Sequence, residues 1–170
     1  MKRILSSLLA LSVIMVPAFA QTADDDPLLA KIVDFAKANM GKTVGNGECA
    51  GLAAQALKAA GAKPRARVGY PAANDYVWGE EVLLIEAAPD GVKMTGTFED
   101  VKPGYIVQFS NVKFQRAHFA HHTAIVESIN RKRLGLLQQH IGGHRFVVEG
   151  AVRIDKLASG WMRFYRPLPL

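Results

Sequence analysis

From Val82 to Tyr165 the chain breaks into short apolar runs separated by Gly, Pro, Asn and Asp, and this succession constrains its fold more than any other feature. The predicted strands are Val82–Glu86, Lys93–Phe98, Tyr105–Ser110, Thr123–Ile129, Leu134–His140, Arg145–Val148 and Met162–Tyr165. Two helices precede them. Asp26 and Pro27 form a start signal for a helix reaching to about Met40, with Leu28, Leu29, Ile32, Val33 and Phe35 on its apolar face and Gly41 as its stop. After the turn Val44-Gly45-Asn46-Gly47, an Ala-rich stretch runs to Ala60 and closes at Gly61, with Cys49 in its first turn. Helices first and strands afterwards predict an α+β fold with an antiparallel sheet.

The N-terminus carries Lys2 and Arg3, an apolar run from Ile4 to Val16, then Pro17 and Ala18-Phe19-Ala20. This is the pattern of a secretory signal peptide, residues 1–20, cleaved after Ala20. The run is shorter than the ~20 residues of a membrane-spanning helix. A soluble periplasmic or secreted protein is expected, with residues 21–170 as one domain and no stable membrane anchor after cleavage; 170 residues suffice for one ordinary core. Loss of two basic residues takes the formal charge from +6 to +4. The cations are scattered, so nucleic acid is not an expected partner.

Export makes the cysteine count informative, because proteins in oxidising compartments usually pair their cysteines and this chain has one. Cys49 at a helix start, behind two glycines, sits where free N–H groups and the helix dipole favour the thiolate. A small apolar residue packed under the helix is the competing reading. Cysteine catalysis also needs a base, and Ala120-His121-His122-Thr123-Ala124-Ile125-Val126 supplies one. Strand alternation puts His122, Ala124 and Val126 on one face and His121, Thr123 and Ile125 on the other. His140, at the end of the next predicted strand, is placed to accept or share the first histidine's proton. A metal site around His118, His121 and His122 is disfavoured, since adjacent strand histidines diverge and no Cys or carboxylate stands at a ligand spacing; no cofactor is expected.

Gly47-Glu48-Cys49-Ala50-Gly51-Leu52 resembles the nucleophile segment of the NlpC/P60 family, and His122-Thr123-Ala124-Ile125-Val126 resembles its histidine strand. A CHAP-like subgroup is closer still. Its elements are matched in order by Gly45-Asn46-Gly47-Glu48-Cys49, Val77-Trp78-Gly79, Pro103-Gly104-Tyr105-Ile106-Val107-Gln108-Phe109, His121–Val126, Gln138-Gln139-His140 and Tyr165-Arg166-Pro167. The resemblance implies a papain-like fold, Cys49 as nucleophile, His122 as base and His140 as the group that orients it. It also implies an exported hydrolase of a peptide or amide bond, with peptidoglycan or a peptide as substrate. Two other readings stand beside it: a binding or scaffold module of the same fold without turnover, and a hydrolase of some other amide or ester. Two positions depart from the subgroup: Tyr105 replaces an Asp, so the turn after Gly104 must be satisfied differently, and His140 replaces an Asn. Glu48, beside the nucleophile, is expected to turn away and cap the helix or bind backbone N–H groups, because a carboxylate facing the sulfur would raise the thiol pKa. Tyr70, Tyr76 and Trp78 are candidates for the cleft lining.

Overall fold

In the computed structural model, residues 26–66 and 76–170 are described; residues 1–20, read above as a signal peptide, and Tyr70 lie outside them. Helix α1 (Pro27–Ala38) starts as predicted. Extended Asp26 accepts the Leu28 N–H at 3.0 Å and Pro27 supplies the first turn. Leu29, Ile32 and Ala36 are buried on one face. The helix stops before Gly41, because Asn39 already serves as its C-cap and donates its side-chain amide to Phe35 O at 2.8 Å. Helix α2 (Cys49–Ala60) buries Leu52, Ala53, Ala56 and Leu57 and ends at Gly61, whose φ of 79° is left-handed. No helix among the described residues is long and apolar enough to cross a membrane.

The strands are β1 (Glu80–Ala88), β2 (Gly91–Gly96), β3 (Ile106–Lys113), β4 (His118–Ile129), β5 (Arg133–Gln138), β6 (Val148–Arg153) and β7 (Ser159–Arg166). They form one antiparallel sheet in the order β2-β1-β7-β3-β4-β5-β6. The last strand therefore enters the middle. Helix α1 packs on α2, and both pack on β4. Five consecutive residues of β3 are buried, and five of β4, so these central strands are covered on both faces. Ile106, Ile125 and Leu137 lie side by side across three strands with no exposure, and Val107 with Ala124 and Phe109 with Met162 fill the opposite face. Each large apolar side chain so buried is worth about 1.5–3 kcal/mol.

Two strand expectations are corrected. The stretch Arg145–Val148 falls mostly outside the sheet, which Val148 only begins. Val147 instead bonds the segment after α1: its C=O accepts the Gly41 N–H at 2.9 Å and its N–H donates to Lys42 O at 3.0 Å. The strand expected to reach His140 ends at Gln138, and His140 turns the chain with a φ of 59°. The Pro103-Gly104 turn lies against α1. At Gly104, with φ 90°, an added Cβ would come within 2.7 Å of Leu29 O, so only glycine fits. Tyr105 is satisfied through its backbone, its N–H donating to Lys102 O at 3.2 Å and its C=O accepting the Val126 N–H at 2.8 Å. Its ring is buried.

Candidate functional site: a cysteine-histidine cleft

Where β5 stops, its ladder to β4 ends at the Ile125–Leu137 pair, and α2 packs on β4. An open cleft of about 300 Å³ forms there, bordered by Glu48, Cys49, Ala50, Tyr76, Gln108, His121, His122, Thr123 and His140. The three residues singled out in the sequence, Cys49, His122 and His140, thus meet at one place.

Cys49 is partly buried, and the backbone N–H groups of Thr123 on β4, of Ala50 and of Cys49 itself are near enough to its sulfur to favour the thiolate. The thiol is not the low-pKa group that its helix position suggests. Burial pushes it above its ordinary value, the Glu48 carboxylate adds in the same direction, and the three N–H groups only partly offset them.

His122 is 4% exposed. Its ring lies 4.9 Å from that of Phe119 and 5.9 Å from that of Phe109, and its Nε2 is 3.0 Å from Gln138 Oε1. Because that oxygen only accepts, Nε2 carries the proton and Nδ1 keeps a lone pair. Burial brings the imidazole down to about 4, against the pull of the Gln138 hydrogen bond and with a further push from nearby His140. At neutral pH it is therefore an uncharged base with a fixed tautomer. The alternation read from the sequence holds: His122 and Phe109 are cross-strand partners, and so, on the opposite face, are Thr123 and Gln108. Both adjacent histidines nevertheless border the cleft, His121 with its ring partly exposed.

Where His140 was expected to bond the imidazole, the side chain hydrogen-bonded to His122 is Gln138. The reason is geometric: His140 lies past the strand end in a left-handed conformation, and its Nδ1 contacts Glu48 Oε2 at 2.7 Å. The second Glu48 oxygen takes Arg145 Nη1 at 2.9 Å. Glu48 thus turns to His140 and Arg145 and makes no side-chain cap to the helix.

Three glutamines supply most of the site's buried polar bonds, and none was singled out by residue chemistry alone. Gln108, 1% exposed, accepts on Oε1 from Trp78 Nε1 at 3.1 Å and from Thr123 Oγ1 at 2.9 Å. Gln139, fully buried, accepts from the Val44 N–H at 2.7 Å and donates to Val44 O at 3.0 Å and Glu48 O at 2.9 Å. Their signal in the sequence was their place in the motifs of the resemblance, Gln108 in the Pro103–Phe109 element and Gln138-Gln139 at a strand end. Of the aromatic candidates, Tyr76 lines the cleft while Trp78 is a buried anchor, their rings edge to face at 5.6 Å.

Comparison with known proteins gives a family and several structural neighbours. Among solved structures, Ly7917 superposes with a TM-score of 0.48 at 20% identity, covering 81% of this chain and 62% of that one. A second Ly7917 structure, with the hydrolysis product of MDP, gives 0.47 at 19% identity over 79% and 62%. PlyC gives 0.50 at 15% identity, covering 89% of this chain and 42% of its own. The chain thus spans less than two thirds of each, and the likeness to PlyC is one of fold. A search of curated proteins finds no match. The family model described as AIM3/BBC1 cysteine proteinase-fold domain matches residues 28–170, in accord with the papain-like superfamily that the motifs resemble. The chain belongs to the AIM3/BBC1 cysteine proteinase-fold domain family.

Proposed function

We propose that this protein is an exported cysteine hydrolase that cleaves a peptide or amide bond by acyl transfer through Cys49, with peptidoglycan as the substrate. The observation that carries the chemistry is the cleft itself: a thiol at a helix start, and a neutral imidazole whose tautomer is fixed by a buried amide, border the same opening. Peptidoglycan follows from the signal-peptide pattern and from the resemblance to NlpC/P60 enzymes.

In this reading the Cys49 sulfur attacks the carbonyl carbon as His122 Nδ1 takes the thiol proton. The carbonyl oxygen becomes an oxyanion held by backbone N–H groups at the start of α2. Collapse breaks the C–N bond, and His122 returns the proton to the leaving amine. A water then gives its proton to His122 as it attacks the thioester, and the departing sulfur recovers that proton. Gln138 keeps the imidazole in the required tautomer throughout.

Incubation of the mature protein with isolated peptidoglycan tests this, with released amino groups as readout. Soluble fragments should appear, vanish with Cys49→Ala and with His122→Ala, and largely persist with His121→Ala. Equal loss at His121 would assign the base to the wrong histidine. A binding module without turnover is the second reading, favoured by the burial that raises the thiol and lowers His122. Wall binding without release of any fragment would establish it in place of the first.

A further inference from the structure

Gln138 and Gln139 are adjacent, yet their side chains serve opposite halves of the cleft. Gln138 holds the imidazole, and Gln139 holds the loop that carries the nucleophile. The loop from Val44 to Glu48 contains two left-handed glycines, Gly45 and Gly47, and has little stiffness of its own. Gln139 supplies the restraint. Its amide pairs with both backbone groups of Val44 and reaches Glu48 O, which also accepts the Gly51 N–H at 2.9 Å in the first turn of α2. The amide therefore grips the peptide group immediately before Cys49; its two bonds to Val44 are buried and the one to Glu48 O is partly buried.

We propose that Gln139 is a positioning residue that sets the Cys49 sulfur against His122, so that one dipeptide at the end of β5 registers nucleophile and base together. This rests on the reading of Cys49 and His122 as a working pair. A mere structural clasp would stabilise the loop without affecting how strongly the thiol depends on the imidazole.

A double-mutant cycle separates the two roles. The rate of Cys49 alkylation by iodoacetamide is measured at pH 7 for the wild type, His122→Ala, Gln139→Leu and the double variant, with thermal unfolding as a check on the fold. In the wild-type background His122→Ala should slow alkylation by about tenfold or more; in the Gln139→Leu background it should change the rate by less than about twofold. Should the leucine variant fail to fold, Gln139→Glu carries the same expectation, since it keeps the acceptor for Val44 N–H and loses the paired donation to Val44 and Glu48. Undiminished dependence on His122 in a folded Gln139 variant overturns the positioning role alone. Indifference to His122 already in the wild-type background overturns the pairing, and the positioning role with it.

Discussion

Burial of His122 makes a quantitative claim about acid stability. Its imidazole titrates at about 4 in the folded protein against an ordinary 6.5. As pH falls below 6.5 the unfolded chain takes up a proton that the folded chain refuses, so this contribution is complete above 6.5 and is lost on the way down to 4. At ~1.4 kcal/mol per pH unit, and with the folded group half protonated at the end, the loss comes to about 3 kcal/mol. The side chain is 4% exposed, so solvent screening removes little of it. Urea unfolding at pH 7.5 and pH 4 measures the loss, and the same pair of experiments on His122→Gln removes the contribution of every other titrating group. Wild type should lose about 3 kcal/mol more than the variant. Equal losses would mean that the imidazole is not held neutral by its surroundings, and the tautomer argument would fall with it.

Gln138→Leu should strand a buried N–H on His122, costing about 1–3 kcal/mol in unfolding experiments and reducing turnover more than His140→Ala does; the reverse order would return the orienting role to His140. Glu48→Gln removes the negative charge that raises the thiol, so the pH profile of Cys49 alkylation should move to lower pH. An unchanged profile would exclude that coupling. Gly104→Ala should destabilise the protein by about 2 kcal/mol or more, seen as a lowered Tm, because it combines a left-handed φ with a Cβ driven into Leu29. A Tm equal to wild type would show that the turn can move off α1.

Periodicity and caps made most of the architecture legible. Asp26-Pro27 and Gly61 mark helix ends by local chemistry, and the alternation across His121 to Val126 is the one seen in the sheet. The insertion of β7 between β1 and β3 was not legible, because strand order depends on distant pairings that leave no local trace. Val147 misled for a related reason: an apolar, β-branched residue looks the same whether its backbone bonds a sheet neighbour or the loop after α1. At the site, residue chemistry pointed to Cys49 and to the histidine strand. Its limit came at His140, where type and spacing suited a third member while the left-handed turn at that residue carried the ring to Glu48. The raised thiol was equally hidden, since the helix start was visible in the sequence and the burial around it was not.

If Cys49 works with His122, the pairing shows in the pH dependence of Cys49 alkylation, compared between the wild type and His122→Ala. Because burial raises the thiol, reactivity near neutral pH should depend on proton removal by His122: the wild type should react at pH 7 and the variant only at distinctly higher pH. Superimposable profiles would refute the pairing and leave a cysteine proteinase fold in which this thiol and this imidazole are neighbours without being partners.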